Sequence, residues 1–406
     1  MSPHAVDYRI PPSKIPVAGA KAYIAGLGSA FPPHTLTTAD LEAVAARFHD
    51  LSNPGIAHLL HLSTKTGIAS RPTILPPPHP ILHSPLPPPL PTLHALHLTH
   101  SVPLSTNACL NALSTTSLSL DQVTHLVGAT CTTSSCPGVD FHVARTLGLR
   151  RTVQRTFLQG VGCAGGMSVL RVARDICAAE EARGRKAVVL VFAVEVCTMG
   201  VRKVLADAER EGRAGVEGAL FGDAAGAGVV VNGLAEGEGR GWREERGGKE
   251  GAEGKEGWLE MMEGAMETVE GSEEEMGLVF DEDGFRTTIS RNVSRFAAGA
   301  VRPVFERLVL DYAQHAETDI MEEDGFDWAL HPGGKTILDG VEKEMGLIDG
   351  QLRASREVYK TTGNSSSPTV LIVLEKLWKM GGVRDHVVAA AFGPGMMIEM
   401  MLLKRC

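Results

Sequence analysis

Apolar and polar positions alternate along this chain in two similar rounds. Residues 21–30 (KAYIAGLGSA) read as a buried strand entering a glycine turn, and residues 38–50 put Leu41, Val44, Ala45 and Phe48 on one helical face behind Asp40. Residues 121–150 give a strand (THLVGAT), a polar loop (CTTSSCPG) and a helix ending at LGL. A short strand and glycine turn fill 154–162, and Cys163 then opens a helix that runs to about residue 182. The run 187–196 (AVVLVFAVEV) has the continuous apolar character of a strand covered on both faces, and another strand follows at 225–232.

The second round echoes the first. DQVTHLVGATC is answered by GFDWALHPGG, a strand followed by a small polar loop. Each leads to a helix ending in a related triplet, Leu147-Gly148-Leu149 and Met345-Gly346-Leu347. Each then reaches a Gly-rich loop at a helix start, GVGCAGG and TTGNSSS. Strands alternating with helices in two related halves predict an α/β protein with layered sheets. The expected division is a first half over 1–232, a flexible Gly- and charge-rich loop over 233–256 with too few aliphatics to order itself, and a second half over 257–406.

One segment breaks the pattern. Residues 72–103 are rich in Pro, Leu and His, and repeated proline predicts an extended surface insertion over the front half. Its histidines are irregularly spaced and lack acidic or cysteine partners, so no metal site is expected there.

Composition narrows the function. The 406 residues are 43% hydrophobic and carry a formal charge of −9, too acidic for non-specific nucleic-acid binding. The seven cysteines form no CxxC pair, which argues against a disulfide framework or a structural zinc. The N-terminal MSPHAVDYRIPPSK has no apolar core of a signal peptide, and no run of about 18 apolar residues occurs, so a cytoplasmic location is expected.

Three residues carry candidate chemistry. Cys163 lies among small residues at a helix start, where free N–H groups and the helix dipole favour a thiolate; Cys109 and Cys177 read as structural. His331 ends an apolar strand before Pro332-Gly333-Gly334, a plausible acid/base position. Asn364 stands in a Gly-Asn-Ser-Ser-Ser turn. Taken singly, His331 and Asn364 are ordinary turn residues.

Their order and their flanking words are more specific. HPGGKTILDGVEKEMGL, GNSSSPTVLIVLEKLWK, ALFGDAAGAGVVV and AFGPGMMIEMMLLK resemble the chalcone and stilbene synthases, the type III polyketide synthases, and the compact GVGCAGG loop is similar to fungal members. The resemblance runs from about Ala20 to the C-terminus with gaps at 72–103 and 233–256. It implies a thiolase-like αβαβα layered sandwich and a homodimer. It also implies iterative decarboxylative condensation of malonyl-CoA onto an acyl-CoA starter, with no further cofactor and no metal.

By that resemblance Cys163 is the nucleophile, ion-paired with His331, while His331 and Asn364 form an oxyanion hole. Phe221 and Phe280 match the gate between CoA tunnel and cavity. Thr132, Thr133, Ser134, Cys197, Met199, Gly271 and Ser366 match pocket positions. Lys65, Arg71, Gly333, Gly334, Lys335 and Thr336 match the CoA entrance. Cys197 and Gly271 imply a roomy, apolar pocket and an aliphatic starter, with pyrone or alkylresorcinol-type products. The chain departs from the family at GDAAGA and at Ala391 before the Phe-Gly-Pro-Gly loop. The competing readings are a ketoacyl synthase III-like single condensation and a non-catalytic paralogue; a thiolase would need a second catalytic cysteine, a role for which the terminal Cys406 is unsuited.

Overall fold

Val188–Val196 is a strand buried along its whole length, as an unbroken apolar run requires, and the rest of the first half is assembled around it. The computed structural model describes residues 20–235, 258–316 and 322–406. The first half supplies β1 (Ala22–Ala30), β2 (His34–Leu36), β3 (Arg71–Thr73), β4 (His125–Ala129), β5 (Gln154–Leu158), β6 (Val188–Val196) and β7 (Asp223–Asn232). The second supplies β8 (Leu259–Thr268), β9 (Met276–Asp281), β10 (Gly284–Ile289), β11 (Phe326–Leu330), β12 (His386–Gly393) and β13 (Met397–Arg405).

Nine of these strands form one sheet in the order β11-β12-β13-β8-β1-β7-β6-β4-β5. The two halves meet in it at a narrow seam, where β1 pairs with β8 only at Tyr23–Glu260 and Ile24–Leu259.

The helices are α1 (Thr38–Ala45), α2 (Pro54–Lys65), α3 (Leu90–Ser114), α4 (Val139–Thr146), α5 (Gly165–Ala182), α6 (Val201–Glu211), α7 (Glu217–Leu220), α8 (Val293–Ala316), α9 (Lys335–Met345), α10 (Arg353–Thr362) and α11 (Thr369–Lys379). Three apolar clusters show how they stack. The first joins α3 and α4 to β6 and β7 through Ala108, Ala112, Val143, Phe192 and Val229. The second buries α5 and α11 between the two sheet halves through Met167, Ala173, Val370, Leu374, Val189 and Ala389. The third sets α8 and α9 against β11–β13 through Val304, Leu308, Val341, Trp328 and Leu402. Helix, sheet, helix, sheet, helix is the αβαβα sandwich expected from the sequence. The two inner helices approach so closely that a Cβ on Gly166 would stand 2.6 Å from the Ser367 carbonyl oxygen.

The 72–103 segment is not an insertion lying on the surface. Arg71–Thr73 is a strand paired with β2, Ile74, Leu75, Ile81 and Leu82 are core residues, and Leu90 begins the 25-residue helix α3. Proline suits the helix start, where its missing N–H has no partner to lose, and the internal Pro103 stands on the exposed side. The Pro-rich stretch offers carbonyls but few donors, and arginines fill that gap: Arg47 donates to Leu82 O and Arg202 to Pro85 O. Arg202, also stacked 3.9 Å over the Phe48 ring, is almost completely buried.

At the far end of the second half, fully buried Asp327, the second residue of β11, accepts from Arg353, Arg384 and Arg405. Of the expected 233–256 loop, Gly233–Ala235 is a short helical turn and the remainder lies outside the described residues. Among the described residues no helix is long and apolar enough to cross a membrane.

Candidate active site

Cys163 sits in the tight turn Gly162–Ala164 directly before α5, at the end of a loop that returns from β5. Gly162 has φ 47°, and a Cβ there would strike Pro394 at 2.6 Å, so the cysteine loop is seated on the C-terminal Gly-Pro-Gly loop of the other half. His331 follows β11, and its backbone N–H is anchored to Ala390 O on β12. Asn364 lies between α10 and α11. A reciprocal bridge fixes it to Phe221: Asn364 N donates to Leu220 O, and Gly222 N donates to Asn364 O.

Ser366 holds these pieces in register. It is the one non-glycine residue with positive φ (60°) among the described residues, a conformation that costs roughly 1–2 kcal/mol. The Asn364 side chain sustains it, with Oδ1 accepting from Ser366 N at 2.7 Å. That bond fixes which way the amide faces, and Nδ2 donates to Gly333 O at 3.3 Å beside His331. The strained backbone brings Ser366 Oγ to 3.2 Å from Cys163 Sγ and 3.6 Å from Cys131 Sγ. The serine expected as a pocket residue therefore touches the candidate nucleophile itself.

Burial works against both members of the expected ion pair. Burial pushes the Cys163 thiol up to about 11, and burial holds His331 down at about 4. Neither ring nitrogen of His331 has a hydrogen-bond partner among the described residues. Burial disfavours the charged form of each group. The two free nitrogens remain available, one as acceptor and one as donor.

His331 also makes stability pH-dependent. Its folded value near 4 lies below the ordinary 6.5, so between those limits only the unfolded chain takes up the proton. Stability present above about pH 6.5 should fall as the pH drops toward 4. Urea midpoints measured across that interval should show the decline, and His331→Gln should make it shallower, the remainder coming from other buried histidines such as His97.

The other expected site residues are dispersed more widely. Thr132 and Thr133 are buried beside the site, whereas Ser134 is exposed. Cys197 and Met199 lie in the turn after β6, and Phe280 sits on the β9–β10 hairpin with its ring edge-on to Phe285 and His94.

Two expectations need correction. Gly271 stands in the exposed turn between β8 and β9 with φ 74°, so the left-handed backbone accounts for a glycine there rather than a cavity wall. Arg71, expected at the CoA entrance, is buried, and its guanidinium donates to the carbonyls of Gly218 and Phe221. It braces the segment around Phe221 from inside. Lys65 is exposed at the end of α2, and Lys335, at the start of α9 beside the exposed Thr336, pairs with Asp339. Among the described residues no group of His, Cys, Asp and Glu could hold a metal ion.

Sequence reasoning passed over two buried carboxylates. Asp223 at the start of β7 accepts from Ile74 N, Thr198 N and Thr198 Oγ1, tying β3, β7 and the Cys197 turn together; burial raises its carboxyl to about 6. Glu195, fully buried in β6, is surrounded by donors: Thr130 Oγ1, Cys131 N, both N and Oγ1 of Thr132, and Ser367 Oγ. A lone glutamate inside the apolar run AVVLVFAVEV was the signal that could have revealed it.

Cysteine, histidine and asparagine brought together between the halves of a five-layered αβαβα sandwich are the arrangement of a thiolase-fold condensing enzyme. The chain belongs to the chalcone and stilbene synthase family: residues 13–233 match the N-terminal domain of these synthases and residues 260–406 the C-terminal domain. It is 39% identical over 397 residues to type III polyketide synthase pspB of Penicillium soppii, an alignment spanning 95% of this chain and 96% of that protein. It is 30% identical over 387 residues to acylalkylpyrone synthase csyB of Aspergillus oryzae, covering 94% of each. The crystal structure of a type III pentaketide synthase from Neurospora crassa superposes with a TM-score of 0.86 at 33% identity, covering 95% of this chain and 100% of that one. The protein is thus an acyltransferase of the type III polyketide synthase class.

Proposed function

We propose that the protein extends an aliphatic acyl-CoA starter with malonyl units on Cys163 and releases pyrone or alkylresorcinol-type products. The observation that carries the chemistry is a buried His331 whose ring nitrogens have no partner among the described residues, beside an Asn364 amide whose orientation is fixed. In this reading His331 takes the Cys163 proton as sulfur attacks the starter thioester, and the CoA thiol leaves. A malonyl-CoA then loses CO2. The enolate oxygen so formed accepts from His331 and from Asn364 Nδ2, two donors aimed at charge that develops only in the transition state. The enolate carbon attacks the acyl carbonyl, the C–S bond to Cys163 breaks, and the extended chain leaves as a 3-ketoacyl-CoA.

Phe221, bridged to Asn364, and Phe280 would present the apolar wall that favours loss of the malonyl carboxylate. Lys65 and the start of α9, with Gly333, Gly334, Lys335 and Thr336, would receive the CoA phosphates. The aliphatic reading rests on the apolar Cys197 and Met199, and the acylalkylpyrone synthase relative supports the product class. A homodimer is the expected assembly.

Purified protein incubated with malonyl-CoA and short, long or aromatic acyl-CoA starters, with products read by mass spectrometry, tests the proposal. Triketide or longer masses with the aliphatic starters are expected. Single-extension products would indicate a ketoacyl synthase III-like enzyme, and exclusive use of aromatic starters would overturn the pocket reading.

A further inference from the structure

The histidine-rich segment reaches the active-site wall through one residue. His97 lies on the buried face of α3, between Leu93 and Ser101, and is fully enclosed. Its Nε2 is 3.0 Å from Thr132 Oγ1. Thr132 Oγ1 is itself 2.6 Å from Glu195 Oε2, and Val196 N donates to the same hydroxyl at 3.2 Å. Among the described residues Glu195 is met by donors alone, and the Thr132 hydroxyl gives its one hydrogen to the carboxylate at 2.6 Å. Thr130 Oγ1 stands 3.4 Å away but gives its hydrogen to Glu195 Oε2 at 3.0 Å, so the remaining Thr132 lone pair is left for a proton carried on His97 Nε2. This leaves Nδ1 as a buried acceptor with no partner among the described residues. Burial holds the ring neutral, at about 3, so this tautomer does not compete with an imidazolium in the working pH range.

Glu195 gathers the other end of the network. It fixes Cys131 N and Ser367 Oγ, whose neighbours Cys131 Sγ and Ser366 Oγ lead directly to Cys163 Sγ. The groups around His97 are therefore one hydroxyl, one carboxylate beyond it, and His94 one turn earlier on the same helix, whose ring stands against Phe280.

We propose that His97 is a positioning residue: by donating from Nε2 to Thr132 it sets the Thr132 hydroxyl on Glu195, and through that pair it fixes the Thr130–Thr133 wall against Cys163, so that it governs how the growing chain partitions between product lengths. The inference rests on the polyketide-extending function proposed above. It adds a second tier to the site, supplied by a helix that carries none of the reacting groups.

The test compares wild type, His97→Leu, His97→Gln and Thr132→Val with one starter that wild type accepts, reading the ratio of products of different length. His97→Leu should shift that ratio by about three- to tenfold, the partitioning change expected when one hydrogen bond is lost. Thr132→Val should give the same shift, the double variant no more than either single one, and His97→Gln, which can restore a donor near Nε2, a ratio close to wild type. A His97→Leu enzyme that folds and turns over with an unchanged ratio would overturn the proposal. A second measurement does not depend on activity. Nitrogen-15 NMR of labelled histidines should show one ring as the Nε2–H tautomer and neutral down to about pH 5, lost in His97→Gln. The Nδ1–H tautomer, or titration near 6.5, would overturn the assignment even if the wild-type enzyme made no polyketide.

Discussion

Cys163→Ala should make no product from any starter while folding and assembling as the parent does. The alanine fits, because the neighbours of Cys163 in the Gly162–Ala164 turn are small and, among the described residues, its sulfur makes one polar contact, to Ser366. What disappears is the atom proposed to form the acyl thioester, and neither Cys131 nor Cys197 is expected to replace it: burial, with carboxylates nearby, raises both thiols well above the usual range, whereas Cys163 is raised only to about 11. Incubation with acyl-CoA alone separates the steps. Wild type should gain the mass of one acyl group on the peptide containing Cys163, and the alanine variant should gain none. Acylation of the variant at Cys131 would show that the site holds two competent sulfurs and would dislodge Cys163 from its role.

The second large effect concerns folding and lies far from the chemistry. Asp327→Ala should destabilise the protein by about 3–5 kcal/mol, the usual loss when one member of a buried ionic cluster is removed. Asp327 is fully buried and is the anion shared by three guanidiniums, with Arg405 2.9 Å away and itself only 7% exposed. Hydrogen bonds from Arg353 hold its carboxyl below the ordinary value against the opposing effect of burial. With the carboxylate gone, three cations face one another at the end of β11, the strand that delivers His331. Thermal or urea unfolding would show the loss, and Asp327→Asn should recover little, because it keeps the shape but not the charge. A midpoint unchanged in both variants would mean that water already satisfies the arginines.

The parts of this architecture legible in the sequence were those where one physical signal acts alone. β6 and β11 announce themselves as apolar runs because both faces are covered, and the glycine crowding around Cys163 records the close approach of the Gly-Pro-Gly loop. α3 was hidden for the opposite reason. Its buried face carries His97, Ser101 and Ser105 where an apolar stripe would be sought, and its start is crowded with prolines that read as extended chain. Ser366 could be assigned to the pocket but not to the sulfur, since nothing in Asn-Ser-Ser-Ser discloses which serine turns to positive φ. Arg71 looked like an entrance cation because charge in a sequence carries no sign of depth; only the fold shows that its partners are carbonyl groups.

The seam between the sheet halves has a consequence for how such a protein can change over time. Cys163 belongs to one half and His331 and Asn364 to the other, yet the halves share only two residue pairs of sheet. Their alignment depends instead on the inner helices, packed as tightly as Gly166 against Ser367 allows. Drift in the outer layers can therefore proceed with little effect on the reacting atoms, while an added methyl group between the inner helices displaces the catalytic halves relative to each other. The most stringently selected positions of this enzyme should include side chains too small to do any chemistry.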